Sequence, residues 1–236
     1  GADLVATSTA IPADNPEKAA AEANGIPVWH RARVLAEIMR AGRSVAVSGT
    51  HGKTTTTSML GQMLVAAGRD PTVLIGGWLN VFNGNARTGS GEWVIAEADE
   101  SDASFLQMTP DRIIITNIEA DHLDYYPDLD AIMQAFGKFT GNLLPDGRVI
   151  ACLDDPGVCS LLGNTNPGNI VGYGIENLSA DLRAEDIHSI HDGTGIAFDL
   201  IQQNSRLALV RLGVAGKHNV LNALASLAAG LEMGAD

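Results

Sequence analysis

The sequence predicts an α/β fold: a mostly parallel sheet flanked by helices, with a small antiparallel subsheet and a preceding β-α-β-α stretch. Three observations carry this expectation. Short, β-branched apolar runs alternate with segments of helical periodicity, the pattern of parallel strands joined by crossovers. Val45-Ala46-Val47-Ser48-Gly49-Thr50-His51-Gly52-Lys53-Thr54 reads as strand, glycine-rich turn and helix start. After about Asn164 the segments shorten, alternate and are divided by Gly, Asn and Asp, as antiparallel hairpins are.

Element by element, Leu4–Thr7 is a short strand, and Asn15-Pro16-Glu17 opens a helix that Gly25 stops. Ile26–Trp29 is a strand with Pro27 at its start. Val34, Leu35, Ile38 and Met39 recur at helical spacing. Two parallel strands and one crossover cannot bury a core alone, so residues 1–43 read as the tail of an α/β domain. The phosphate-type strand, Ser44–Ser48, starts the second domain. Met59, Leu60, Met63 and Leu64 mark its first helix, and Thr72–Ile75 its next strand. Gly76–Gly91 reads as a long Gly/Asn-rich loop. Trp93–Ala96 and Arg112–Ile118 are buried-type strands, and Asp128–Leu144 is helical. Arg148–Leu153 returns to the sheet, and Asp154-Asp155-Pro156 caps a short helix. Ile170–Ile175, Arg183–Ile190, Gly195–Gln202 and Arg206–Leu212 form the subsheet, with turns at Asp192-Gly193 and Asn204-Ser205. A helix from about His218 closes the chain, with Val220, Leu221, Leu224, Leu227 and Leu231 inward.

The 236 residues suffice for one large domain, or one domain plus part of another. A net charge of −13 argues against a surface that coats nucleic acid, so any phosphate ligand must find its positive charge locally. Two cysteines, Cys152 and Cys159, are too few for a disulfide framework or zinc cluster; reduced thiols fit a cytoplasmic setting. No apolar run approaches the ~18 residues of a membrane span. The chain does not begin with Met and opens like mid-domain sequence, the expectation for a piece of a longer protein.

Four stretches carry chemistry. In the glycine-rich turn, Gly49, Thr50, His51 and Gly52 let backbone N–H groups converge on phosphate oxygens, with Thr55 in the first helical turn behind them. Lys53 can reach the outer phosphates and the Thr54 hydroxyl can ligate Mg²⁺. The spacing departs from G-x-x-x-x-G-K-[ST], because Val47 stands where that pattern has its first Gly. A tight strand-to-helix turn that happens to contain Gly and Lys is the plainer reading. Glu97 is the first acid off its strand, in Glu97-Ala98-Asp99-Glu100-Ser101-Asp102, on the sheet edge where ligands sit. It is the candidate metal ligand, against a merely solvated acidic turn that suits Asp99 and Asp102. His122, in Thr116-Asn117-Ile118-Glu119-Ala120-Asp121-His122, leaves the same edge as either a structural His or a ligand to a second cation. Asn219 and Asn222 share one helix face; their amides match an adenine edge, while Asn219 alone could serve as a cap.

Together with Ala103-Ser104-Phe105 and Val220-Leu221-Asn222-Ala223, these motifs resemble the Mur ligase family across essentially the whole chain. The resemblance is strongest to the branch that adds L-alanine. It implies that residues 1–43 are the C-terminal part of a Rossmann-like UDP-sugar domain and 44–236 the central ATP-binding domain. The family's C-terminal amino-acid domain would be absent. It further implies ATP and Mg²⁺ as cofactors, with UDP-N-acetylmuramate and L-alanine as substrates. ATP would phosphorylate the lactyl carboxylate, and the amine would attack the acyl phosphate to give amide, ADP and phosphate. Lys53, Glu97 and His122 would carry catalysis. Thr54 and Glu97 would hold one Mg²⁺, and Glu97 with His122 the second. Asn219 and Asn222 would read adenine, while His51, Asn85 and Ser8 are candidate substrate contacts. Some siblings carry a carbamylated Lys, but near that place stand Phe136 and Gly137, with Lys138 out of step; the alanine-adding branch shares that lack. The competing expectations are a ligase that reattaches recycled tripeptide to the same sugar nucleotide, and an isolated Mg-ATP-binding module without ligase activity.

Overall fold

The computed structural model describes residues 1–163 and 167–235. The first two strands, β1 (Val5–Thr7) and β2 (Val28–His30), pair in parallel in a sheet of their own. Between them runs α1 (Pro16–Ala23), whose first turn is capped by Asn15 Oδ1 accepting from Glu17 N at 3.0 Å and Lys18 N at 3.2 Å. The next helix, α2 (Arg31–Met39), buries Ala32, Ala36 and Met39 and leaves Ile38 exposed, so its inward face is turned from the expected stripe. Ala36 and Met39 pack on Ala46, Val94 and Ala96 of the larger sheet, where small side chains allow close approach.

That larger sheet has ten strands: β3 (Arg43–Ser48), β4 (Thr72–Leu79), β5 (Gly84–Arg87), β6 (Trp93–Glu97), β7 (Arg112–Ile115), β8 (Arg148–Cys152), β9 (Ile170–Gly174), β10 (Leu182–Ile190), β11 (Gly195–Gln202) and β12 (Ser205–Leu212). Their order is β12-β11-β10-β9-β8-β7-β3-β6-β4-β5. β3 lies between β6 and β7, parallel to both. Side chains alternate across this sheet, and both faces are apolar. Val45, Val47, Ile95 and Ile114 face α3 (Lys53–Ala66) and α6 (Lys217–Glu232). Ala46, Ala96, Ile113 and Ile115 face α2, α4 (Leu129–Thr140) and α5 (Pro156–Leu162). The expected doubly covered parallel sheet is therefore present.

Five expectations change. Gly76–Gly91 is not a long loop: β4 continues through Gly76 and Gly77, a 3-10 turn covers Asn80–Phe82, and β5 returns antiparallel. Glycine there reads as loop, but a Cβ on Gly76 would stand 2.8 Å from a Glu97 carboxylate oxygen, so glycine leaves room for that side chain where it now lies. Ile170–Gly174 is parallel to both β8 and β10, which leaves β10, β11 and β12 as the antiparallel wing. Its last turn is Gln203-Asn204, both at positive φ, one residue earlier than the Asn-Ser pair suggested. Finally, β7 ends at Ile115, and Leu231 of α6 is exposed. The change of texture placed at Asn164 begins outside the described residues.

Candidate active site

β3 and β6 deliver the loop and the acid to one edge of the sheet. After Ser48 the chain turns through Gly49 (φ +126°) and Gly52 (φ +86°) before α3 starts at Lys53. No side chain caps α3, so its first N–H groups face the loop, a geometry that suits an anion. The segment after β7 braces the turn. Thr50 N donates to Asn117 O at 3.0 Å, His51 N to Asn117 Oδ1 at 2.8 Å, and Thr116 Oγ1 to His51 O at 2.6 Å. Thr50 Oγ1 accepts from Glu119 N at 2.9 Å.

Two charged groupings meet there. Thr54 Oγ1 donates to Glu97 Oε2 at 3.1 Å, and Gly76 N donates to Glu97 Oε1 at 2.8 Å. Burial pushes the Glu97 carboxyl above its ordinary range, against those two donors and the Lys53 charge, with Asp99 adding to the rise. In the second grouping, Lys53 Nζ donates to Gly49 O at 2.8 Å, Thr50 O at 3.4 Å and both Glu100 oxygens at 2.8 and 2.9 Å. His122 Nε2 lies 3.5 Å from Glu100 Oε1. Tyr126 O–H donates to the Glu100 carbonyl at 2.6 Å; its phenol is pushed up to about 12, chiefly by burial, so it stays a donor at neutral pH.

Lys53, Thr54, Glu97 and Asn85 line one cavity of about 520 Å³, together with Arg31 and Asp99. Arg31 Nη2 donates to Asp99 Oδ2 at 3.2 Å. Burial raises the Asp99 carboxyl, but the Ser101 amide and hydroxyl, Arg31 and Lys53 outweigh it and leave it lowered. His51, Gly52 and Asn222 line a second cavity of about 180 Å³ with His218 and Tyr173. Asn222 is buried; its Oδ1 accepts from Thr56 Oγ1 at 3.3 Å, and its Nδ2 donates to Asn219 Oδ1 at 3.4 Å. Asn219 Nδ2 donates to Ala215 O at 2.7 Å.

Of the expected site residues, Gly49 through Thr55 form the loop and first helical turn, and Glu97 meets Thr54. His122 pairs with Glu100 rather than Glu97, and among the described residues no three His, Cys, Asp or Glu side chains group as a metal cluster. Ser8 follows β1, where its carbonyl accepts from Ile11 N, and among the described residues no hydrogen bond joins it to the loop. Sequence reasoning missed Glu100, Arg31 and Tyr126. Four acids lie within six residues from the end of β6, and nothing in their spacing singles out the one that turns inward.

The raised carboxyl sets an expectation. Because the native value lies above the unfolded one, the ionised form is the disfavoured one in the native state. Stability is then lost as pH rises through the native value. Glu97→Gln removes the charge while keeping an acceptor for Gly76 N and an amide N–H that can donate to Thr54 Oγ1. We expect ligand-free Glu97→Gln to be more stable than wild type at pH 8, by no more than about 1 kcal/mol given solvent screening. The gain should vanish near pH 4, as read by thermal unfolding. A variant less stable than wild type at pH 8 would refute this.

The same chain matches two family models, the Mur ligase middle domain over residues 47–230 and the Mur ligase family catalytic domain over residues 2–43. It is 48% identical over 233 residues to the UDP-N-acetylmuramate–L-alanine ligase of Solidesulfovibrio magneticus, covering 99% of this chain and 50% of the relative. The ligase of the same name from Laribacter hongkongensis is also 48% identical, over 100% of this chain and 50% of its own length. The chain thus spans about half the length of these relatives. Among solved structures, UDP-N-acetylmuramate-alanine ligase MurC from Thermotoga maritima superposes with a TM-score of 0.83 at 32% identity, covering 99% of this chain and 52% of that one. The UDP-N-acetylmuramate:L-alanyl-gamma-D-glutamyl-meso-diaminopimelate ligase from Neisseria meningitides gives 0.85 at 26% identity, covering 100% and 75%. With a middle-domain match over most of its length and a glycine-rich loop and acidic strand end in the places described, the chain belongs to the Mur ligase family.

Proposed function

We propose that this chain is the ATP-using part of a ligase that joins L-alanine to UDP-N-acetylmuramate through an acyl phosphate, in peptidoglycan precursor synthesis. Residues 44–236 serve as the central domain and residues 1–43 as the end of the UDP-sugar domain. The observation that carries this reading is the convergence of Lys53, Thr54 and Glu97 beside the uncapped start of α3, at the carboxyl end of β3 and β6.

The reaction must bring a carboxylate against a γ-phosphate of like charge. Lys53 offsets that repulsion, and the N–H groups of the glycine turn and of α3 hold the phosphates. Mg²⁺ fits the Thr54–Glu97 pair, whose hard oxygens meet across a glycine strand without a Cβ. Bound there, the ion would neutralise the phosphate charge during transfer. His122 is the candidate for a second ion. Asn222, with Asn219 behind it, addresses adenine from the smaller cavity, which His51 borders. Asn85 faces the carboxylate substrate from the larger one, and Ser8 is placed with the UDP-sugar region.

The L-alanine reading rests on the 46–48% identity of the curated relatives and, among solved structures, on 32% identity to the alanine ligase against 26% to the tripeptide-adding neighbour. The test compares L-alanine with L-Ala-γ-D-Glu-diaminopimelate in the full-length protein. We expect kcat/KM to favour L-alanine strongly; the reverse preference would overturn the assignment. The 236 residues alone should bind Mg²⁺ with a non-hydrolysable ATP analogue weakly and form no amide. Amide formation by them would contradict the proposal.

A further inference from the structure

We infer that Glu100 is a positioning residue that holds the Lys53 ammonium and the His122 imidazole on one buried carboxylate, and that a triphosphate must compete with it for Lys53. This rests on the nucleotide reading above but concerns a residue that reading does not use. An ammonium has three N–H donors. In this structure Gly49 O, Thr50 O and the Glu100 carboxylate together occupy all three. No donor is left for a phosphate until one partner lets go. The two carbonyls are fixed by the turn, whereas a phosphate and a carboxylate are alternative anions for the same charge. Glu100 is therefore the partner to be exchanged.

Its own position is well defined. The side chain is 3% exposed, against 17% for Lys53 and 33% for His122. Its backbone is pinned by Tyr126, whose amide in turn donates to the His122 carbonyl at 2.9 Å. The His122 backbone is held at φ +53°, a conformation that a non-glycine residue adopts only when its surroundings enforce it. The loops after β3, β6 and β7 thus meet at one carboxylate. Glu97 is placed differently: its oxygens accept from Thr54 and Gly76 and are the ones offered to the larger cavity.

The test uses Glu100→Gln, which keeps the shape and one acceptor oxygen but removes the competing charge and the second acceptor. Without nucleotide, acetic anhydride labelling resolved by mass spectrometry reports how firmly Lys53 is held, with Lys18 and Lys138 as internal references. We expect Lys53 to label at least about threefold faster in the variant. In the full-length protein, a non-hydrolysable ATP analogue with Mg²⁺ should bind at least about threefold more tightly while kcat falls about tenfold or more, since His122 loses its anchor. General structural damage would weaken binding, so the gain in affinity separates positioning from folding. Glu100→Asp, which keeps the charge on a shorter arm, should restore part of the protection of Lys53, and it stands in if the Gln variant fails to fold. Unchanged Lys53 labelling in both variants would overturn the inference, whether or not the cavity takes ATP. Weaker analogue binding in Glu100→Gln would overturn the competition.

Discussion

Lys53→Ala should lower ATP turnover in the full-length protein by about 10³-fold or more, the scale on which a single preorganised charge acts on a developing anion. The structure adds a second consequence. Lys53 is the main countercharge of Glu100, which is almost fully buried, with His122 as the remaining neighbour at 3.5 Å. Removing one partner of a buried pair commonly costs about 3–5 kcal/mol, because the other charge stays stranded. Partial exposure of Lys53 and the nearby imidazole reduce that here. A loss of even 1 kcal/mol lowers the melting temperature of a chain this size by about 2–4 °C. Lys53→Ala should therefore be both inactive and less stable. Lys53→Ala/Glu100→Gln should regain the melting temperature and stay inactive. Thermal unfolding and ADP release separate the two effects. Unchanged turnover in Lys53→Ala would remove this lysine from the mechanism.

The same pair shows what could be read from the chain without coordinates. Sequence places Lys53 by a local rule, since a Lys after Gly at a strand-to-helix turn has one geometry. Glu97 follows from a similar rule, as the first polar residue off a buried strand. Glu100 obeys none. Whether it turns inward depends on Lys53 and Tyr126, which are far from it in sequence, so its role is a tertiary fact. The β4–β5 hairpin was hidden for a related reason. Gly76 reads as a loop residue because the side chain it leaves room for, Glu97, lies on another strand. The alternation of strands and helices, by contrast, is written into local hydrophobic periodicity. It was legible wherever burial on both faces left continuous apolar runs, as at Ile113-Ile114-Ile115. His122 falls between these cases. Its place on the sheet edge was readable, but its pairing with Glu100 was not.

Gly49→Ala should be the most damaging single methyl in the loop. Two separate penalties act at this position. Its φ of +126° lies where L side chains are strained, at about 1–3 kcal/mol. A Cβ would also overlap Thr116 Oγ1 and stand 2.9 Å from Asn117 O. Thr116 cannot simply swing away, because its hydroxyl donates to His51 O at 2.6 Å and is 3.3 Å from Ser48 O. Overpacking against fixed atoms adds roughly another 1–3 kcal/mol. Gly68 supplies the control. Its φ is +71°, but nothing stands within 4 Å of an added Cβ, so Gly68→Ala should show the conformational cost alone. Urea unfolding should then rank wild type above Gly68→Ala and Gly68→Ala above Gly49→Ala, with Mg-ATP analogue binding lost only in the last. Thr116→Ala should relieve the overlap with Thr116 Oγ1 but not the contact with Asn117 O, so Gly49→Ala/Thr116→Ala should lose less than the two single changes add up to. If Gly49→Ala is no less stable than Gly68→Ala, the brace between the glycine turn and the segment after β7 is looser than these distances indicate. Anion binding by the loop would then depend on the α3 N-terminus rather than on a turn locked from both sides.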